Sequence, residues 1–336
     1  MKELLKHLFV KTLNSAPLSA VGDRIYGNHV PVFMLHRFAC PDLGIEGHDP
    51  SLLKYALEFM RSKNFNFVSV EDVALAVQNE TALPPRSVAF SIDDGYWDHV
   101  EIPTGLFEEY ECPTTYFVTT GFVAKELWFW DAKVEYLLDE MQDSNYGQLK
   151  TLFPNLTLEG VSKAVAREKI VFNLAEQPFA EINIRVEQLA KLIEVEIPVL
   201  APEKYKSTTW EKLREIEKKG MRIAPHSYSH PILSKESDET SFFEIKRSRD
   251  DVKKNAISPS NVFCYPVGRN QDFGHREIQY CHQLGFTGAV SATPPVVDLG
   301  DQDKLFCLPR FAFPNTKSDI IQYSTWIESF KNQLRA

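Results

Sequence analysis

The order of apolar and polar positions along the chain describes short buried strands separated by amphipathic helices. Apolar runs occupy 30–35, 64–68, 88–92, 114–119, 221–224, 261–265 and 286–290. They are continuous rather than alternating and too short for helices, which marks them as buried strands. Between them the apolar residues take helical spacing, as in Leu52, Leu53, Ala56, Leu57, Met60 and in Trp210, Leu213, Ile216. Strands that alternate with helices form a parallel sheet. Closing about seven of them predicts an α/β fold of the distorted (β/α)7 barrel type, with its chemistry at the C-terminal strand ends. The alternation breaks over 125–205, which opens on Leu127-Trp128-Phe129-Trp130-Asp131 and continues with Val134, Leu137, Leu138 and Met141 at helical spacing. A helical insert is predicted there. Met1–Asn14 carries Leu4, Leu5, Leu8, Phe9 and Leu13 along one side and Lys2, Lys6 and Lys11 mostly on the other. Residues 1–25 are therefore read as an amphipathic helix and linker, and 26–336 as one domain containing the insert.

Two of the strand ends carry polar clusters. Ser91-Ile92-Asp93-Asp94-Gly95 runs a strand into adjacent carboxylates and a glycine. Neighbours on a strand point to opposite faces, so the pair cannot share the core. At a strand end, with Gly95 freeing the backbone, both can reach one cleft. Two carboxylates there suit a division of labour between metal binding and proton transfer. About 130 residues later another strand ends in His226-Ser227-Tyr228-Ser229-His230. The i, i+4 imidazoles can meet one ion if the segment turns helically, and imidazole with carboxylate is a catalytic zinc donor set. Alone, two such histidines also suit an ordinary loop.

Together these segments resemble the polysaccharide deacetylases of the NodB-homology type, carbohydrate esterase family four. The resemblance rests on Ser91–Gly95, on His226–His230 and on the aromatic-Pro-x-Gly turn Tyr265-Pro266-Val267-Gly268, in the family's order. It covers most of 30–315 apart from the insert, and it implies a NodB-like barrel. It also implies that Asp94, His226 and His230 hold a divalent metal, usually zinc, and that Asp93 is the general base for a water molecule. The third motif then supplies substrate contacts through Tyr265 and an oxyanion donor in the Val267 N–H. Trp97, beside the first motif, is a candidate cleft wall.

Two departures from the family pattern matter. The Arg that often precedes the third-motif Pro by four residues is Val262 here, and Arg310 in Leu308-Pro309-Arg310-Phe311 is a candidate substitute near the substrate. The C-terminal Leu-x-x-x-x-His motif that supplies the general acid is missing, since no histidine follows His282. Val30–Phe38 ends in His36-Arg37 and resembles the Tyr-His-Arg-Val signature of a subgroup whose N-terminal strand takes over that role. By that resemblance His36 protonates the leaving amine. The plain alternative is a histidine capping its strand.

Composition narrows the partners. The chain has 336 residues, 43% of them apolar, enough for one large domain with an embellishment. A net charge of −9, from 46 acidic and 37 basic residues, disfavours a nucleic-acid partner. Five scattered cysteines with no C-x-x-C pattern point to reduced thiols. Charges interrupt the N-terminal stretch too often for a signal-peptide core, and no 18-residue apolar span occurs, so a cytoplasmic enzyme is expected. Its N-terminal helix could dock on the barrel or lie on a membrane near a lipid-linked sugar. Three functions fit: a metal-dependent N-deacetylase of an N-acetylated amino sugar, in a bacterial glycan or lipid-linked precursor; a hydrolase of another C–N amide or of an O-acetyl ester; and a non-catalytic glycan binder. Intact Asp93, Asp94, His226 and His230 argue against the last. Trp128 and Trp130 could stack on sugar rings or belong to the core.

Overall fold

The computed structural model describes residues 2–294 and 296–334. Its strands are β1 (His29–Val30), β2 (Val32–Leu35), β3 (Asn66–Val68), β4 (Ser87–Ile92), β5 (Thr115–Val118), β6 (Arg222–Pro225), β7 (Val262–Cys264), β8 (Gly288–Val290), β9 (Val297–Asp298) and β10 (Phe311–Ala312). A parallel sheet runs β10-β2-β4-β5-β6, with β3 also paired to the start of β4. β7 and β8 form a parallel pair, and single bridges from Ile223 to Pro259 and from Val290 to Leu308 link that pair to both edges of the sheet. The ring is thus a distorted α/β barrel, held at two seams by isolated bridges instead of full ladders.

Every run expected to be a strand contains one. β9 and β10, at two residues each, fall below what a pattern can show. β10 is paired to β2 and completes the ring. Strand residues alternate between two buried clusters. Val88, Phe90, Ile92, Tyr116 and Val118 pack outward with Leu53, Leu57 and Met60 of the helix Pro50–Ser62. Ala89, Phe117, Ala224, Cys264 and Val290 share the other cluster. Burial on both faces explains the unbroken apolar runs.

Helices Trp130–Glu140, Lys163–Leu174 and Phe179–Leu192 interrupt the barrel order between β5 and β6. They enclose a cluster of their own, with Leu137, Leu149, Ile170, Leu174, Val186 and Leu189 buried. At the N-terminus the expected linker is a second helix, Ala16–Ile25, following Lys2–Leu13. Val10 and Leu13 pack against Ile321, Ile327 and Trp326, and Lys6 pairs with Asp319 at 2.5 Å. Leu8 and Phe9, expected on the packed stripe, are exposed; the side chains of Lys2, Leu4 and Leu5 lie outside what is described. No helix among the described residues is long and apolar enough to cross a membrane. The five cysteines are unpaired.

Candidate active site

All strands of the main sheet are parallel, so β2, β4 and β6 deliver His36, Asp93-Asp94 and His226 to one end of the barrel. The end of β4 is tied to β2 by Asp93 N–H donating to the Leu35 carbonyl. The chain then turns sharply, with φ of 86° at Asp94 and 97° at Gly95. A non-glycine residue in that region is uncommon and costs about 1–3 kcal/mol, and such residues gather at functional sites. Ser227 and His230 (φ 59° and 63°) and Val267 (φ 60°) share the feature. The turn is what sends the two carboxylates to different places.

Asp93 is buried beside the barrel interior. Arg310 grips it bidentately, Nη1 to Oδ1 and Nη2 to Oδ2, each at 2.8 Å. The guanidinium is itself fixed by Nε donating to the carbonyl of Ser291, just past β8, at 2.9 Å, and by Nη1 donating to the Ser91 hydroxyl at 3.0 Å. Burial works against ionising Asp93, but Arg310 and the nearby imidazoles outweigh it and hold the carboxyl well below the usual range. Arg310 is 1% exposed. It is spent on Asp93 inside the barrel and is not the substrate contact expected; the position left vacant at Val262 is answered from the far end of the domain.

Asp94 faces the opposite environment. Burial, then Asp93 and Asp131, push its carboxyl well above the usual range. Its Oδ1 lies 3.7 Å from Nε2 of His226 and 3.7 Å from Nε2 of His230. Nδ1 of His226 sits 2.9 Å from the Cys264 carbonyl, which can only accept, so Nδ1 carries the proton and Nε2 presents a lone pair toward Asp94. Burial lowers His226 to about 4 and His230 well below its ordinary value, keeping both imidazoles neutral. Three donors converge, with an acid that its neighbours push toward neutrality. Ligands about 2.0–2.2 Å from a tetrahedral zinc sit roughly 3.3–3.6 Å apart, close to the observed spacing. The donor set suits a divalent cation. Asp93, His226 and Cys264 also cluster, but Arg310 occupies both oxygens of Asp93, and burial pushes the Cys264 thiol well up.

The turn that carries His230 is held from beneath by a residue the sequence gave no reason to choose. Buried Glu244, on the helix Asp238–Asn255, accepts from the Tyr228 and Ser229 N–H groups at 2.9 and 2.8 Å and from the Ser229 hydroxyl at 2.6 Å. His230 N–H donates to the Ser227 hydroxyl at 2.9 Å. His36 lines the same cleft as Asp94, half-buried, with Arg37, Tyr96 and Asp131. Burial lowers its pKa, Asp93 opposes that and Arg310 adds to it. Arg37 anchors the strand end, donating to buried Asp98 at 2.8 Å and stacking over Tyr96 at 4.0 Å.

Other expected contacts move. Tyr265 is 1% exposed, stacks on Phe273 at 3.9 Å and donates its hydroxyl to the Phe306 carbonyl, so it is core and not substrate-binding. Trp97 does not line the cleft; it packs under Lys206, and the preceding Tyr96 takes the wall. Trp128 is core, with its indole N–H on the Pro198 carbonyl, whereas Trp130 borders the site beside Asp131. Val267 is 41% exposed beside His230, with its N–H unpartnered among the described residues. Asp131, which borders both the cleft of His36 and Asp94 and the cavity beside His230 and Trp130, was missed because nothing but its neighbouring tryptophans distinguished it.

A family model described as polysaccharide deacetylase matches residues 178–289, the stretch that contains the second and third motifs. Over that stretch, a third of the chain, the sequence is similar to the polysaccharide deacetylases. The deacetylase PplD of Streptococcus pyogenes, solved in complex with acetate, superposes with a TM-score of 0.58 at 16% identity, over 88% of this chain and 98% of that one. IcaB from Ammonifex degensii gives 0.58 at 13%, over 90% and 98%. A de-N-acetylase from Aggregatibacter actinomycetemcomitans gives 0.53 at 14%, over 88% and 99%. At these identities the likeness speaks for the fold, an α/β barrel over most of the chain. No curated protein matches the sequence.

Proposed function

We propose that this protein is a polysaccharide deacetylase, a metal-dependent N-deacetylase that hydrolyses the acetamide of an N-acetylated amino sugar in a bacterial glycan or glycan precursor. The observation that carries the reading is the separation of two adjacent carboxylates. One is locked ionised on Arg310, and the other faces two neutral imidazoles in the same cleft. A binding module has no use for that division. The neighbours named as deacetylases, one of them holding acetate, support the reading.

Asp94, His226 and His230 would hold a divalent ion, which when bound would polarise a carbonyl and lower the pKa of a water toward 7. Asp93 stays unprotonated because Arg310 holds it so, and each oxygen keeps a lone pair to accept the proton of the attacking water. The Val267 N–H is free to meet the oxygen on which charge develops. Burial keeps His36 largely neutral at rest. The proton it gives to the departing nitrogen is therefore one it takes up as negative charge builds beside it. One proton is accepted and one is returned, so the amine leaves neutral.

The second reading, a hydrolase of another C–N amide or of an O-acetyl ester, uses the same groups. Acetate and formate release from N-acetylhexosamine oligomers, N-formyl sugars and O-acetyl sugars, with and without chelator, separates the two. Chelator-sensitive acetate with an equivalent of free amine is expected. Formate alone, or acetate without amine, would replace the deacetylase reading by the second.

A further inference from the structure

Two lobes flank the donor cluster, Asp94 lining one and His230 the other, with 3.7 Å between Asp94 Oδ1 and His230 Nε2. One, about 420 Å³, is polar, bordered by His36, Arg37, Glu46, Asp94 and Lys204. The other, about 480 Å³, is bordered by His230, Val267, Trp130, Ile232 and Phe172 and is mostly apolar, with Glu168 and Arg269 as charged neighbours. Asp131, Ala164 and Arg167 border both. The outer wall of the second lobe is one face of the helix Lys163–Leu174 and its end. Ala164, Glu168, Val171, Phe172 and Ala175 follow helical spacing along it. The opposite face, Ala166, Ile170 and Leu174, is buried in the cluster of the insert. Phe172 is 67% exposed, so the insert's own packing does not use it. An aromatic side chain in open water over an apolar groove that ends at a reaction centre is a binding wall in search of a substrate group.

The chemistry says which group. His36, which delivers a proton to the nitrogen, lies in the polar lobe, while Val267, whose N–H meets the carbonyl oxygen, lies in the apolar one. The amino-sugar side of the scissile bond then occupies the polar lobe and the acyl side faces the groove. Resting on the amide-hydrolase reading above, we propose that the site removes acyl groups longer than acetyl as well as acetyl itself, the longer alkyl chain lying in the groove under Phe172. Acetyl compounds are then the shortest members of the substrate series. The reaction is unchanged: the water oxygen bonds to the acyl carbon, the C–N bond breaks with its electron pair on nitrogen, nitrogen takes the proton, and a carboxylate leaves.

Turnover of N-acetyl-, N-butyryl- and N-octanoylglucosamine and of octyl N-acetylglucosaminide tests this on the full chain. kcat/KM is expected to rise roughly two- to fourfold for each methylene that enters the groove. F172E, a change at an exposed position, should remove at least tenfold of the octanoyl-to-acetyl ratio. No gain from acetyl to octanoyl overturns the proposal. So does a gain confined to the octyl glycoside, which would put an aglycone in the groove. Binding of octanoate against acetate by calorimetry needs no turnover. Tighter octanoate binding that F172E abolishes supports the groove even if no amide is hydrolysed, a result that would count against the hydrolase reading alone. Equal binding of the two overturns the groove.

Discussion

Asp93 is driven to its ionised form and Asp94 away from it, although a single peptide bond separates them, because the positive φ at Asp94 and Gly95 throws one toward Arg310 and the other toward the imidazoles. Removing one partner of a buried pair strands the other's charge and costs about 3–5 kcal/mol, whereas removing both can be nearly neutral. D93N and R310M should each unfold at lower denaturant than wild type, and D93N/R310M should recover part of the loss, measured as a double-mutant cycle. Equal and additive losses would mean the pair carries no coupling. The sign with pH follows from the lowered value: the contribution of Asp93 is present above the unfolded carboxyl pKa of about 3.9 and is lost as pH falls through its lower folded value. The advantage of wild type over the double variant should therefore persist at pH 4–5. D93N should also lose about 10²–10⁴ in turnover while keeping its metal. H36A should retain fold and metal but lose about 10² in kcat and the alkaline limb of the pH–rate profile. An alkaline limb that survives in H36A would assign the acid to another group.

The turns and short helices around the barrel mouth decide where those residues sit, and legibility in the sequence differs among them. The strand-end motifs were readable because carboxylates and histidines at the ends of apolar runs have few structural uses. Arg310 was readable as a candidate but not in its role, since its contact with Asp93 spans more than two hundred residues and β10 beside it is two residues long. Tyr265 and Trp97 were misplaced for a common reason: next to a motif, an aromatic ring packs beneath the site as readily as it lines it, and residue type does not say which. Glu244 left no trace because helix Asp238–Asn255 is strongly charged, and one buried acid among many looks like surface. Its effect is predictable nonetheless. It fixes two N–H groups of the turn that carries His230, and groups that orient a ligand typically change metal affinity 10–100-fold. E244A should weaken zinc binding by that factor in a chelator competition, while E244Q, still able to accept hydrogen bonds, should lose less. Unchanged affinity in E244A would make the contact purely structural.

At the scale of the whole molecule, the chain combines a barrel legible from its alternating pattern with an insert that has a core of its own. N- and C-terminal helices pack together at Val10, Ile321 and Ile327. The insert was recognisable as a break in the strand–helix rhythm. Its function was not, because the groove it builds with Val267 and Ile232 exists only once residues some sixty to one hundred positions apart are folded together. The barrel places the donors, and the account stands or falls on what they hold. Protein stripped with chelator and titrated with zinc, read for bound metal and for carboxylate released from an N-acylated amino sugar, tests it directly. Release should rise from near zero to a plateau at one equivalent, and D94A and H226A should neither bind that equivalent nor turn over. Full turnover in the stripped protein, or full metal occupancy in both variants, would contradict it.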